Sequence, residues 1–244
     1  MLYETMFKRK SVRKYNDKQI DENTLNSIGE YVNNLERLFP DIKTEFKIVR
    51  QDEVKATSSV KAPYYMAVFS EEKEGYLTNV GFMLEQLDLY LSSNNIGTCW
   101  TGMGSPVKEL KEDSELEFVI MLAFGNSDKS VHRNDVSEFK RKEVNEISNV
   151  DNELMQTVRF APSSMNSQPW YYNQNNNEID IYTVKNNVFK NIISGKMNKI
   201  DIGISMCFLW QVVMQNNCGV EFKTIEGKQL KGYEYINTAI ITQK

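Results

Sequence analysis

Histidine is nearly absent from this chain of 244 residues; His132 is its single copy. A Ser-His-Asp or Cys-His hydrolase would have to use it, yet it lies in the polar stretch GNSDKSVHRND and no nucleophile elbow is visible. HExxH is impossible, and a zinc site would lack its commonest ligand, so no metal is expected. Cysteine is scarce as well. Cys99, Cys207 and Cys218 are scattered without CxxC spacing, which fits a reducing cytoplasm better than a disulfide framework. Long apolar runs are missing: the strongest, ISMCFLWQVVM (204–214), is too short to span a bilayer and contains Ser205 and Gln211. The opening MLYETMFKRK lacks the apolar segment of a secretory signal, so the expectation is a cytoplasmic protein without membrane attachment. An excess of positive charge is also missing; the net charge of -4 argues against general nucleic-acid binding. If the chain is an enzyme, its hard chemistry falls to an organic cofactor.

What is present reads as mixed α and β. Apolar residues make up 41% and charged residues 25%, as in ordinary globular proteins, and the length is ample for a core. IDENTLNSIGEYVNNLERL (20–38) has helical spacing with Asp21 as N-cap. TEFKIVRQ (44–51) alternates like a strand, and PYYMAVFS (63–70) and EFVIMLAFG (117–125) read as buried strands. YLTNVGFMLEQLDLYLSSNN (76–95) predicts a long helix ending before Gly97. A polar connector follows, roughly 126–138. The second half runs similarly: a helix over 151–160, a strand over 178–185, a long helix over 200–217, then strands in VEFKTI and EYINTAIIT.

The two long helices look like copies. NVGFMLEQLDLYLSSNNIG aligns without a gap on DIGISMCFLWQVVMQNNCG, pairing Gly81 with Gly203, Asn94-Asn95 with Asn216-Asn217 and Gly97 with Gly219. This suggests two degenerate halves, 1–138 and 139–244, related by a pseudo-twofold axis along which the long helices pack. Two unrelated α/β stretches are the alternative.

Three segments carry candidate chemistry. FKRKSVRKY (7–15) gathers cations around a serine, a pattern suited to phosphate or to a solvated basic helix face. RFAPSSMNSQPWYY (159–172) breaks a helical pattern at Pro162 and concentrates hydrogen-bonding groups before Trp170. It could hold the edge of a heteroaromatic ring, or it is a surface turn. NNIGTCWTGMGSP (94–106) is glycine-rich, letting backbone approach a flat ligand. It is no GxGxxG fingerprint, because it does not open a βαβ unit. Cys99 within it has no base nearby in sequence, so a packed or cofactor-adjacent thiol is expected.

Together, KRKSVRKY, GTCWTG and APSSMNSQPW resemble the FMN-dependent nitroreductase family, whose usual forms are an RRSxRxF-like opening and an APSxxNxQPW-like loop. One departure stands out. In familiar members the APS loop closely follows the opening motif and its helix, whereas here that stretch, NNLERLFPDIK (33–43), lacks it and the loop sits in the second half. Family members are homodimers with flavin at the subunit interface, so the chain resembles a smaller branch in which two halves of one polypeptide mimic that dimer. The resemblance implies an α+β nitroreductase-like fold with mixed or antiparallel sheets flanked by helices. It implies one complete site, formed by Arg9, Lys10, Ser11 and Arg13 with Pro162, Ser163, Ser164, Asn166 and Gln168. Arg9 and Ser11 would bind the FMN phosphate. Arg13 would sit near the flavin N1/C2 carbonyl side, where a cation favours reduction. Backbone at Cys99, Thr101 and Gly102 would line one ring face, and Ser163, Asn166 and Gln168 would hold the ribityl chain and ring edge. FKRKEV (139–144) stays open to two readings. It is a dead counterpart of FKRKSV in which Glu143 replaces Ser11, or a tail whose Arg141 and Lys140 join the phosphate site. The implied activity is hydride transfer from NADH or NADPH through FMN to a small electrophilic acceptor such as a nitroaromatic or quinone, by a protein that is a monomer. The rival from another class is a flavin- or nucleotide-binding sensor, or a pseudoenzyme that kept the fold.

Overall fold

A computed structural model of the chain describes residues 2–56, 60–185 and 188–243. The chain divides into two compact units, Met1–Val136 and Ser137–Lys244. The first contains α1 (Leu2–Met6), α2 (Glu22–Asn33), β1 (Thr44–Arg50), β2 (Val54–Ala56), β3 (Tyr64–Ser70), α3 (Tyr76–Ser93), β4 (Gly97–Thr101), β5 (Gly104–Pro106), α4 (Lys108–Glu112) and β6 (Glu117–Gly125). The second contains α5 (Val144–Ile147), α6 (Glu153–Val158), β7 (Trp170–Asn175), β8 (Glu178–Val184), α7 (Val188–Gln215), β9 (Cys218–Lys223) and β10 (Tyr233–Gln243).

Each unit carries one four-stranded antiparallel sheet, and the two share a connectivity. The orders are β1-β3-β6-β4 and β7-β8-β10-β9. In both, a helix leads into a strand pair, a long helix follows, and the last strand inserts between the second and third. The composition explains the placement. All seven residues of β3 are buried, matching a central strand covered on both faces. Helix α3 is buried nearly all round, from Leu77 to Leu89, as its apolar sequence requires. Asp21 caps α2 as expected, its Oδ1 accepting from Thr24 N–H at 3.0 Å.

The repeated residues have physical reasons. Asn95 and Asn217, equivalent in the aligned helices, both adopt left-handed backbone, with φ of 60° and 56°. Asparagine tolerates that conformation, so the Asn doublets terminate both helices. A Cβ on Gly97 would lie 2.9 Å from Val12 Cγ1, and one on Gly219 would lie 2.6 Å from Thr242 Oγ1. Both glycines admit a close neighbour at the first residues of the strand that follows.

Several expectations shift. Helix α2 ends at Asn33 rather than continuing to residue 38. Helix α7 begins twelve residues before its expected start, because the polar stretch with Gly195 masks the periodicity. Strand β7 was not expected, since Pro169-Trp170 reads as a loop exit. The glycine-rich segment after α3 is largely strand, β4 and β5, rather than open loop. No helix among the described residues is long and apolar enough to cross a membrane.

Candidate functional site

In the first unit, two motifs far apart in sequence lie side by side. The segment after α1 runs extended along edge strand β4. Ser11 forms a parallel bridge with Thr98, and Val12 N–H donates to the Thr98 carbonyl at 2.7 Å. Gly97 is the point of closest approach, against Val12. Tyr15 closes the segment, its hydroxyl donating to the carbonyls of Val12 at 2.8 Å and Ala123 at 3.3 Å. Burial raises the Tyr15 phenol far above its usual value, so it stays protonated.

Within this arrangement Arg9 is buried, 1% exposed, and its Nε lies 3.3 Å from Asp88 Oδ2 on α3. The same carboxylate accepts from the Thr98 hydroxyl and from Trp100 Nε1 at 3.0 Å. Arg133 donates to the Arg9 carbonyl, and Arg9 bridges His132 in antiparallel fashion. Arg9 Nη2 is buried without a hydrogen-bond partner among the described residues. Lys10 and Ser11 are half-buried and Arg13 is exposed. Cys99 is buried, and burial pushes its thiol up, against the downward pull of Arg13, Arg9 and the Ser11 hydroxyl. It is therefore a packed thiol rather than a nucleophile at neutral pH. Thr101 is buried, donating to the Met121 carbonyl at 2.9 Å, and Gly102 is exposed in the turn to β5. His132 is also held structurally. Its Nε2 meets the Ser92 carbonyl at 2.9 Å, and burial lowers its pKa, so it is neutral at pH 7.

In the second unit, FKRKEV and the APSSMNSQP loop are tied together. Arg141 donates from Nη2 to the Phe160 carbonyl at 3.2 Å and from Nη1 to Asn166 Oδ1. Asn166 Nδ2 donates to the Lys140 carbonyl at 2.6 Å. Lys142 N–H donates to Gln168 Oε1 at 2.8 Å, and its Nζ to the Gln168 carbonyl at 2.9 Å. Gln168 N–H donates to Ser163 Oγ at 2.9 Å. Pro162 and Gln168 are buried, Ser163 is half-buried, and Lys140, Ser164 and Asn166 are exposed. Met165, Asn166 and Gln168 all have positive φ, 51°, 58° and 47°, and Met165 is 99% exposed. That strained backbone is held only because its ties over-determine it. Glu143 serves locally: its N–H donates to Glu146 Oε2 at 2.9 Å and its carboxylate pairs with Arg159 at 3.3 Å.

Two residues of the site escaped the sequence reading. Asp88 and Asp201 are carboxylates inside long apolar helices, and both are buried under motif residues. A carboxylate within the apolar stretch of each long helix was the available signal. A cleft of about 830 Å³ opens between α2 and β1, lined by residues that include Leu25, Phe46, Ile48 and Glu53, and none of the motif residues borders it. Among the described residues no group of three or more His, Cys, Asp or Glu could hold a metal ion.

This order of strands and helices defines a nitroreductase-type fold. The structure is similar to one described as a putative nitroreductase from Thermotoga maritima, with a TM-score of 0.69 and 18% identity, covering 98% of this chain and 93% of that one. A nitroreductase family protein from Clostridium difficile matches with a TM-score of 0.49 and 15% identity, over 62% of this chain and 97% of that one. A nitroreductase with bound FMN from Desulfitobacterium hafniense matches with a TM-score of 0.44 and 14% identity, over 58% and 98%. No curated protein matches the chain. The chain belongs to the family described as Putative TM nitroreductase, whose model matches residues 1–213.

Proposed function

We propose that the protein is an FMN-dependent oxidoreductase that takes hydride from NADH or NADPH and passes it to a small electrophilic acceptor. The observation that carries this reading is the lateral pairing of the KRKSVRKY segment with β4, which gathers Arg9, Lys10, Ser11, Arg13 and Cys99 in a protein of the nitroreductase family. The donor set fits a flavin phosphate. Arg9 Nη2 is a buried donor without a partner, and Lys10 and Ser11 supply a further cation and a hydroxyl from the same segment. Bound FMN would supply two-electron chemistry at its N5. The chain's residues supply binding and charge. Arg13, exposed at the end of the segment, is the cation proposed to favour the charge that develops on reduction. Backbone at Cys99, Thr101 and Gly102 is proposed to lie against the ring.

We assign a flavin-binding role to the second set as well, Pro162, Ser163, Ser164, Asn166 and Gln168 with Lys140 and Arg141. Their mutual hydrogen bonds support that assignment, since they preorganise a polar loop rather than leave it mobile. No protein acid or base is required, which suits a chain whose single histidine is engaged by a backbone carbonyl. One FMN per chain, a monomeric cytoplasmic protein and a nitroaromatic or quinone acceptor complete the proposal.

The test is to load the protein with FMN, remove free flavin and add NADH or NADPH without oxygen. Loss of the flavin absorbance near its visible maximum is the expected result. Flavin that stays bound but is reduced by neither nicotinamide would mark a sensor instead of an enzyme.

A further inference from the structure

The two long helices perform one task with different side chains. On α3, Asn79 is buried, and its Oδ1 accepts from Leu38 N–H at 2.9 Å and Phe39 N–H at 3.2 Å. It thereby holds the loop between α2 and β1. The aligned residue on α7 is Asp201, 3% exposed, and it holds the corresponding loop between α6 and β7. Its Oδ1 accepts from Ser164 N–H at 2.9 Å, and its Oδ2 lies 3.5 Å from Ser167 Oγ, which donates.

An amide is thus sufficient to anchor such a loop, as Asn79 demonstrates. A buried carboxylate in the same role is costly to ionise. No described cation offsets that cost, because the charges around α7 are engaged elsewhere. Glu153 of α6 meets Asn216, and Glu178 and Asp180 of β8 meet Lys228. On β9 Glu221 pairs with Lys223, and on α7 itself Lys199 pairs with Glu234 and Lys196 is exposed to solvent. Strand β7 and the loop residues Ser164–Asn166 carry no charge. Meanwhile the loop that Asp201 holds is strained at two residues, Met165 and Gln168, and tends to relax when a tie weakens.

We propose that Asp201 is a positioning residue of the flavin loop, holding Ser163–Gln168 in its binding form as the neutral acid and loosening it on giving up its proton to solvent. The neutral acid keeps an acceptor for the Ser164 amide, as the Asn79 amide does for its own loop; the carboxylate accepts more strongly, but burial without a cation costs it more, and lifting the loop relieves that cost by admitting water. Burial supports a titration in the useful range, pushing the carboxyl up to about 7 against the pull of Ser164 and Ser167. The consequence for flavin rests on the function proposed above, whereas the latch itself does not.

Hydrogen exchange of the flavin-free protein reads the latch directly. Amide protection over residues 160–169, corrected for intrinsic rates, should be several-fold lower at pH 8.5 than at pH 6. In Asp201→Asn it should be equal at both values. Residues 35–42, held by Asn79, should not respond in either protein. FMN titration by fluorescence quenching reads the consequence. The ratio of the wild-type to the Asp201→Asn Kd should be several-fold at pH 8.5 and fall towards one at pH 6, because only the wild type loosens the loop when residue 201 ionises. Taking the ratio cancels the titration of the FMN phosphate. Wild-type protection that ignores pH, or an unchanged pH response in Asp201→Asn, overturns the latch. A Kd ratio that is flat across pH overturns the positioning role even if exchange responds. If exchange responds but neither protein takes up FMN, the flavin reading fails and the latch stands.

Discussion

Replacing Asp88 with alanine should damage the first unit far more than any surface change. Three donors converge on that carboxylate: the Arg9 guanidinium at 3.3 Å, Trp100 Nε1 at 3.0 Å and the Thr98 hydroxyl. Arg9 and Asp88 are 1% and 0% exposed, so water cannot take over when the carboxylate is gone. Breaking a buried pair by removing one partner leaves an uncompensated charge and costs about 3–5 kcal/mol. At roughly 2–4 °C per kcal/mol for a protein of this size, the midpoint of thermal unfolding should fall by about 6–20 °C. Urea unfolding followed through tryptophan fluorescence gives the free energy, and an unchanged denaturant slope shows that the same surface unfolds. The exposed pair Lys108–Glu112, 72% and 64% exposed, is the control, and Lys108→Ala should change stability by less than about 0.5 kcal/mol. The double variant Arg9→Met/Asp88→Leu removes both charges and should recover most of the loss. If Asp88→Ala costs under about 1 kcal/mol, Arg9 is not held in a dry interior by Asp88 and its placement here is wrong.

Other outcomes follow from the same geometry. The Asp201 carboxyl is raised to about 7 from the usual 3.8, so the native state retains a proton that the unfolded chain has lost. Stability from this group is therefore full below about pH 4 and is lost as pH rises to about 7. Asp201→Asn escapes that loss and should unfold at higher urea than wild type at pH 8, by up to roughly 4 kcal/mol, with little difference at pH 4. Asn166→Ala frees Arg141 Nη1 and the Lys140 carbonyl, and should weaken FMN by about 0.5–1.5 kcal/mol in a quenching titration. Arg13→Ala, at an exposed position, should leave urea unfolding unchanged while lowering the two-electron potential of bound FMN, and an unchanged potential would remove Arg13 from that role. Light scattering should give a monomer, and a dimer whose dissociation releases flavin would contradict the single-chain arrangement.

The sequence made the framework legible wherever the pattern was local. The periodicity of EFVIMLAFG gives β6 with its observed bounds, and Asp21 marks the start of α2. The Asn doublets and trailing glycines gave the helix repeat, because both are backbone requirements that leave a trace in residue type. What depended on tertiary pairing was hidden. WYYNQN becomes β7 only through β8, and GTCWT becomes β4 through β6. The motifs were legible as chemistry, but their supports were not. Arg9 reads as a solvent-facing cation until Asp88 is placed beneath it, and the Ser164 amide reads as free until Asp201 is seen to accept from it. A carboxylate in a helix carries no sign of which loop will lie over it.

The central claim is a reducible flavin in this chain. The decisive measurement is flavin content and reduction on one sample: protein saturated with FMN, freed of excess by gel filtration, quantified after denaturation, and treated anaerobically with NADPH and then NADH. The account predicts close to one FMN per chain and bleaching by at least one nicotinamide. Protein that emerges colourless after saturation would contradict it.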